Sequence, residues 1–232
     1  MGGKDLPTRD PGHPPMPLPV LHIGNKNYSS WSLRPWLLMQ VLGIAFEEHL
    51  IPLFDENWDS AIARVSPSRK VPCLTDGDVT VWETMAIVEY LHEHHPGAGV
   101  WPANPRARAM ARCAANEMHG GFGGLRSAMP MNVRKSLPGR GRTEAAIKDI
   151  ARIETLWSDC RKAHGTGGPF LFGAFCAADA MFAPVVSRFR TYAVDVSDVE
   201  AAYIEAVWNH PAMQEWAKAA QAEPMVIDSA EF

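Results

Sequence analysis

Residues 27–36 read Asn-Tyr-Ser-Ser-Trp-Ser-Leu-Arg-Pro-Trp, and this stretch decides the fold of the chain. It follows an apolar run at 19–23, which predicts a strand, and it leads into an apolar segment with helical spacing. Ser29, Ser30 and Ser32 are good N-cap residues for that helix. A helix start offers unpaired backbone N–H groups and the positive end of the helix dipole. The stretch therefore predicts a strand-to-helix turn whose hydroxyl groups can hold an anion.

The composition narrows the kind of protein. Of the 232 residues, 47% are hydrophobic and 21% are charged, which is typical of a soluble globular protein. The formal net charge of −4 gives no indication of nucleic-acid binding, and no apolar run reaches the roughly 18 residues that a membrane span needs. The four cysteines are far apart and form no Cys-x-x-Cys pair. We therefore expect free thiols, no metal site, no membrane contact and a cytoplasmic location.

The pattern along the chain predicts two domains. Residues 1–18 are rich in Pro, Gly and charge and lack the apolar core of a signal peptide, so we expect a disordered extension. Residues 19–95 alternate strands with helices and predict an α/β unit with a mixed sheet. Residues 96–105 hold three prolines and two glycines and are interpreted as a linker. Residues 106–232 contain helical patterns without convincing strands and predict an all-α domain.

The individual elements follow from hydrophobic periodicity and turn residues. After the first strand, further strands are expected at 45–53, 71–75 and 79–82, the last two joined by an Asp-Gly turn. Helices are expected at 31–42, 57–65, 83–94, 106–129, 143–164, 177–192, 199–208 and 211–220. Ser197 and Glu200 have the spacing of a capping box.

Four short motifs at 29–34, 66–72, 83–87 and 175–179 then coincide in order and spacing. The first resembles the Ser-Ser-Cys-Ser-x-Arg motif of zeta-like glutathione transferases, and the second resembles the family's Asn-Pro-x-x-x-Val-Pro segment, whose proline is cis. The third resembles the Glu/Gln-Ser-x-Ala-Ile that opens the third helix of the family, and the fourth resembles its buried Ser/Thr-x-x-Asp box. Over residues 19–221 the chain thus resembles the glutathione transferase family. The resemblance implies an α/β thioredoxin-like domain followed by an all-α helical domain, assembled as a homodimer.

The resemblance also implies glutathione as co-substrate, activated as a thiolate by a serine hydroxyl. Register with the zeta motif indicates Ser29, whereas counting back from Arg34, as in theta-like enzymes, indicates Ser30. Tyr28 is a further candidate because other classes of the family use a tyrosine hydroxyl. Lowering a thiol pKa by roughly two units needs about 2.7 kcal/mol, which a helix N-terminus and one hydroxyl hydrogen bond supply together. The alternative is that the serines only cap the helix.

Six residues are implied to bind glutathione: Arg69, Lys70, Val71, Pro72, Glu83 and Thr84. Arg69 stands where the family has a cation for the glycine carboxylate, and Val71 is expected to pair its backbone with the cysteinyl part. Thr84 and the N–H groups of its helix would hold the γ-glutamyl carboxylate, and Glu83 would accept from the α-amino group. The alternatives are a solvated pair of surface cations and an ordinary helix cap.

The electrophile pocket is predicted from the first helix of the all-α domain and from the serine motif. We expect His119, Phe122 and Arg126 to line it, and Arg126 would suit an acidic or carbonyl substrate. Trp31 replaces the zeta cysteine and would narrow the site, which argues against copying a zeta substrate onto this chain. The four glycines within 120–124 each cost roughly 1 kcal/mol in a helix, so a kink or a close approach is expected there.

These features predict a glutathione S-transferase that adds the thiolate of glutathione to a small electrophile. Alternatives with the same fold are a glutathione-dependent isomerase, dehalogenase or peroxidase, because each of these reactions begins from the same thiolate. An alternative of a different class is a non-catalytic interaction module that has kept the fold. Retention on a glutathione matrix separates the enzyme from the module.

Overall fold

The computed structural model describes residues 17–231, and its N-terminal part forms one mixed four-stranded sheet. The strands are β1 (Val20–Ile23), β2 (Glu47–Leu50), β3 (Cys73–Asp76) and β4 (Val79–Trp82). They are ordered β2-β1-β3-β4, with β1 parallel to β2 and antiparallel to β3, and with β3 antiparallel to β4. The apolar strand β1 is therefore central, and β2 and β4 form the edges.

Three helices complete this part: α1 (Ser30–Val41), α2 (Trp58–Val65) and α3 (Thr84–His94). Parallel strands cannot be joined by a tight turn, and α1 provides the crossover between β1 and β2. The predicted Asp-Gly hairpin joins β3 to β4, with Gly77 at a φ of 59° that favours glycine.

The rest of the chain is helical. Its helices are α4 (Pro105–Gly120), α5 (Gly123–Ala128), α6 (Glu144–His164), α7 (Ala177–Thr191), α8 (Asp198–Trp208) and α9 (Pro211–Ala222), with a 3₁₀ turn at Asp228–Ala230. The central helix is α7, whose residues are all buried except Arg190. Its first turn is closed by Asp179, whose carboxylate accepts from the backbone N–H groups of Cys176 at 2.9 Å and Leu171 at 3.0 Å.

Helix α1 contacts both parts of the structure. On one side the Arg34 Nε donates to the Met181 carbonyl of α7 over 3.0 Å. On another, the rings of Trp36 and Trp216 meet edge to face with centroids 5.1 Å apart, which ties α1 to α9. The serine-rich N-terminus of α1 is thus placed where the sheet, α4, α5 and α7 come together. An α/β part is followed by an all-α part, as predicted, while the exact domain limits stay a prediction.

The predicted helix at 106–129 is wrong as one element, because the structure has two helices, α4 and α5, in that range. Phe122 adopts a left-handed conformation with φ 58° and ψ 38°, which a continuous right-handed helix cannot include. A Cβ at Gly121 would meet the Glu117 carbonyl oxygen at 2.6 Å, so this position needs glycine. The glycines that are costly in a helix therefore mark a break.

Two predicted strands are longer than those observed. Residues 45–53 were expected to be extended, but only Glu47–Leu50 pairs with β1, and this edge strand exposes its first three residues. The strand expected at 71–75 begins at Cys73, because Pro72 has no N–H for a ladder bond.

The capping box predicted at the start of α8 is also wrong. The Ser197 hydroxyl donates to the Glu200 carboxylate instead of accepting from the backbone, and it makes no side-chain cap hydrogen bond. At the other end of the chain, residues 1–16 of the predicted extension lie outside the described residues, and Pro17 and Leu18 are exposed.

Two further observations concern membranes and thiols. Between residues 17 and 231, no helix combines the length and the apolar character that crossing a membrane requires. All four cysteines are free thiols: Cys113 is exposed, and Cys73, Cys160 and Cys176 are buried.

Candidate active site

Two cavities open beside the N-terminus of α1. The first cavity has a volume of about 410 Å³ and is lined by Trp31, Ser68, Lys70, Val71, Pro72, Glu83, Thr84, His119, Gly120 and Arg126. The second cavity, of about 480 Å³, is lined by Tyr28, Ser30, Gly123, Arg126, Ser127, Pro130, Met131, Arg188 and Ala230. Both volumes lie in the range of small-molecule sites. Arg126 lines both cavities, so the two spaces are neighbours.

One side of the first cavity is the loop that precedes β3. The Ser66 hydroxyl holds this loop by donating to the Lys70 carbonyl over 2.8 Å. The Val71–Pro72 peptide bond is cis, as the family resemblance implies. In the described part of the chain, neither the N–H nor the C=O of Val71 has a hydrogen-bond partner. Unpaired backbone groups at the end of a strand can bind an extended peptide.

The opposite side is the N-terminus of α3. Glu83 precedes the helix with φ 71° and ψ 130°, a conformation that is rare for a non-glycine residue and costs about 1–3 kcal/mol. Thr84 is 1% exposed, and its hydroxyl has no partner within residues 17–231. An unsatisfied buried hydroxyl costs about 1–3 kcal/mol. A carboxylate bound at this helix start would satisfy the hydroxyl together with the free N–H groups of the first turn.

The indole of Trp31 is surrounded by basic side chains. The guanidinium carbons of Arg34 and Arg126 lie 4.1 Å and 4.6 Å from the ring centroid, and the His119 ring meets it edge to face at 5.1 Å. These distances are typical of cation–π contacts. Burial lowers the pKa of His119, and the Glu83 carboxylate at 3.9 Å opposes that effect. Trp31 therefore forms a fixed wall of the first cavity.

The serines of the turn have different partners. The Ser29 oxygen caps α1 by accepting from the Ser32 N–H at 3.4 Å, and its hydroxyl donates to the Ser32 oxygen over 2.7 Å. Ser32 in turn accepts from the Gly24 N–H over 3.0 Å. The Ser30 hydroxyl has no hydrogen-bond partner among residues 17–231, and it faces the second cavity. Ser29 is thus engaged in the fold, whereas Ser30 is available to a ligand.

The hydroxyl of Tyr28 is also engaged. It donates to the Glu231 carboxylate over 2.5 Å and accepts from Arg134 over 2.7 Å. Although burial acts to raise the pKa of Glu231, hydrogen bonds from Tyr28, Lys135 and Asn132 lower that pKa to about 2. The carboxylate is therefore charged near neutral pH and fixes the tyrosine at the edge of the second cavity.

Comparison with known proteins identifies the family. Residues 28–94 match the family model of the glutathione S-transferase N-terminal domain. The chain belongs to the glutathione S-transferase family. Maleylacetoacetate isomerase of Rattus norvegicus is 25% identical over 183 residues, which cover 77% of this chain and 82% of the rat protein. The probable maleylacetoacetate isomerase of Caenorhabditis elegans is 34% identical over 95 residues, which cover 40% of this chain and 43% of the worm protein.

Solved structures establish the fold of this glutathione S-transferase. A glutathione transferase homolog from Burkholderia, solved with bound glutathione, superposes with a TM-score of 0.67 at 24% identity. The match covers 89% of this chain and 100% of the Burkholderia chain. The predicted fold class, a thioredoxin-like α/β domain followed by an all-α domain, is thereby confirmed.

The first cavity brings together most of the residues predicted to bind glutathione. Five of the six line it: Lys70, Val71, Pro72, Glu83 and Thr84. Arg69 is exposed with φ 54° and does not line the cavity, whereas its neighbours Ser68 and Lys70 do. Ser68 and Gly120 were missed, since neither belongs to the part of a motif that carries the resemblance.

The residues predicted for the electrophile pocket are divided. Trp31, His119 and Arg126 line the first cavity, beside the predicted glutathione residues. Phe122 is 7% exposed, belongs to the hydrophobic core and lines neither cavity. Sequence reasoning missed Arg188 in the second cavity. Its signal was an arginine inside the otherwise apolar segment 181–189.

Proposed function

We propose that this protein is a serine-type glutathione S-transferase, which binds glutathione in the first cavity and adds its thiolate to a small electrophile. The observation that carries the proposal is the set of unsatisfied groups around this cavity. The Val71 backbone and the buried Thr84 hydroxyl lack partners within residues 17–231 and line one space beside the start of α1. Such groups fit a tripeptide that carries carboxylates and peptide bonds.

The chemistry of the lining residues proposes an orientation for glutathione. Thr84 and the N-terminus of α3 bind the γ-glutamyl carboxylate, and Glu83 accepts from the α-amino group. The Val71 backbone pairs with the cysteinyl residue. Lys70, which lines the cavity, binds the glycine carboxylate in place of Arg69, which does not line it. The thiol then points toward the N-terminus of α1.

Ser30 is the serine that we propose as hydrogen-bond donor to the thiolate. Its hydroxyl lacks a partner within residues 17–231, whereas the hydroxyl of Ser29 is held by Ser32. A hydrogen bond to a charged group contributes about 1.5–3 kcal/mol, and the start of a helix adds about 0.3–1 kcal/mol. Together these terms lower the thiol pKa by roughly two units, at about 1.4 kcal/mol per unit.

Calorimetric titration with glutathione and a transfer assay with 1-chloro-2,4-dinitrobenzene test the proposal. We expect saturable glutathione binding, and weaker binding in Lys70→Gln, because that variant loses the cation for the glycine carboxylate. Lys148→Gln is the matched control, since Lys148 is an exposed lysine on α6 that lines neither cavity. Absence of both binding and transfer at millimolar glutathione would refute the function.

A second candidate is a glutathione-dependent isomerase. It is favoured by the match to the rat isomerase, which extends over 77% of this chain. Transfer consumes one glutathione for each product formed, whereas isomerisation regenerates the thiol. Counting free thiols during turnover of a cis-enone separates the two reactions. Full recovery of glutathione alongside product would favour the isomerase.

We also propose a cytoplasmic homodimer, from the family resemblance and the free cysteines. Sedimentation equilibrium tests the assembly, and it should give about twice the chain mass of 25.5 kDa. A single species at the chain mass would contradict the dimer. Cell fractionation with a cytoplasmic marker tests the location.

A further inference from the structure

Three arginines form a cluster beside the start of α1. Arg34 comes from α1, Arg126 from α5 and Arg188 from α7. Arg34 is fully buried and Arg188 is 3% exposed. In the part of the chain that the structure describes, none of the three forms an ion pair with a carboxylate. Three adjacent positive charges, two of them buried, are thus left without a counter-charge from the protein.

The hydrogen bonds of the cluster do not compensate this charge. Arg188 donates to the carbonyls of Met129 over 2.7 Å and Pro184 over 3.3 Å. Arg34 donates from Nε to Met181, and its two terminal nitrogens are buried without partners within residues 17–231. Carbonyl groups orient a guanidinium but do not neutralise it. An uncompensated buried charge is strongly destabilising, so the cluster is expected to attract an anion.

The arginines also act on one another. Burial lowers the pKa of Arg34 well below its usual value, and the charges of Arg188 and Arg126 lower it further. Burial and the charge of Arg126 lower the pKa of Arg188 to about 10, which still leaves Arg188 cationic near neutral pH. A bound anion would relieve this mutual repulsion.

The second cavity is where an anion can reach the cluster. Arg126 and Arg188 both line it, together with the hydroxyl-bearing residues Ser30 and Ser127. The nearest carboxylate at its edge, Glu231, is already bound by Tyr28, Arg134, Lys135 and Asn132. Because Ser30 lines this cavity and Arg126 joins it to the first, an electrophile held here adjoins the proposed thiolate.

We propose that the second cavity is the electrophile site and that it selects acceptors carrying a carboxylate, which Arg126 and Arg188 bind. Guanidinium groups bind carboxylates through paired hydrogen bonds, and such charge-assisted bonds are about twice as strong as neutral ones. Arg34, behind Trp31, adds positive charge without facing the cavity. This inference rests on the proposed transfer reaction and adds its substrate class and a specificity residue on α7.

A matched pair of electrophiles tests the inference: 4-chloro-3-nitrobenzoate and its methyl ester. In both, the glutathione sulfur forms a bond to the ring carbon, chloride leaves with the bonding electron pair, and the thiol proton passes to solvent. The two differ in the carboxylate. Their intrinsic reactivity cancels when the acid-to-ester ratio of kcat/KM is compared between variant and wild type.

We expect this ratio to fall at least about tenfold in Arg126→Gln, since a charge-assisted bond is lost. Arg188→Lys should lower it less, because it keeps the charge and loses the paired geometry. Arg190→Gln is the control: it lies on the same helix, but its exposed side chain pairs with Glu205 and lines neither cavity. An unchanged ratio in both Arg126→Gln and Arg188→Lys would overturn the inference.

Two further readings separate other causes. A rise in the KM for glutathione, with an unchanged acid-to-ester ratio, would show that the arginines serve a carboxylate of glutathione, which also overturns the inference. If wild type transfers to neither substrate, the proposed function fails instead. Calorimetric binding of 3-nitrobenzoate to the wild-type protein then still decides the anion site: binding that weakens in Arg126→Gln supports it, and no binding refutes it.

Discussion

Replacing Ser30 with alanine removes a hydroxyl that has no partner among residues 17–231. The backbone N–H of Ser30 donates to the Tyr28 carbonyl over 2.9 Å and is unaffected, so the turn should keep its shape. Ser29→Ala is the matched comparison. It removes the oxygen that caps α1 and the hydroxyl that donates to Ser32.

The two variants should differ in what they change. Loss of a hydrogen bond to the thiolate costs about 1.5–3 kcal/mol, so Ser30→Ala should raise the pKa of bound glutathione by about one to two units. Transfer near neutral pH should then slow by about tenfold to hundredfold. Loss of an N-cap costs about 0.5–2 kcal/mol, so Ser29→Ala should lower the free energy of unfolding by that amount and leave the thiol pKa unchanged.

The thiol pKa is measured from the ultraviolet absorbance of the thiolate as the saturated complex is titrated with base. Urea unfolding of the free protein gives the stability of each variant. A raised thiol pKa in Ser29→Ala, together with a normal one in Ser30→Ala, would move the proposed role to Ser29. A normal thiol pKa in both variants would refute activation by a serine at this turn.

Three further predictions concern binding and stability. Thr84→Val should weaken glutathione binding by about tenfold to hundredfold in calorimetry, because the hydroxyl proposed to bind a carboxylate is lost, and unchanged affinity would contradict that role. His22, whose Nδ1 lies 2.8 Å from that of His49, has its pKa lowered from 6.5 to about 4 by burial and by His49. The unfolded chain therefore binds the proton first as pH falls, and the free energy of unfolding should drop by about 2 kcal/mol between pH 7 and pH 5 through this residue. Urea titrations at both pH values should show a smaller drop in His22→Val, and an equal drop would contradict the assignment. Asp179→Asn should cost about 1–3 kcal/mol in the same assay, since its amide would face the N–H of Cys176 or Leu171.

The parts of the fold that sequence reasoning predicts well are those with strong local signals. Strand β4 is found at the predicted residues 79–82, and α3 begins one residue after its predicted start. Alternation and helical periodicity are local properties, so they survive without tertiary information. The break between α4 and α5 was only partly visible, because the glycines indicated a cost but not the left-handed Phe122 that follows them.

The candidate site shows the opposite behaviour. Whether Arg69 or Lys70 faces the first cavity depends on the positive φ of Arg69, which redirects the chain and leaves no trace in residue spacing. Arg188 joins the site because α7 packs against α1 and α5, which is a tertiary arrangement. Motifs therefore indicate which segments meet, and the backbone between them decides which side chains point inward.

The joint at Phe122 has a consequence for how this site can change in evolution or by engineering. His119 lies before the joint and Arg126 after it, yet both contact the ring of Trp31. Each residue advances a helix by about 100° of rotation, so one residue inserted or deleted between 120 and 123 would swing Arg126 away from both cavities. A substitution alters one contact of the site, whereas a change in length at this joint would exchange a whole set of lining residues in one step.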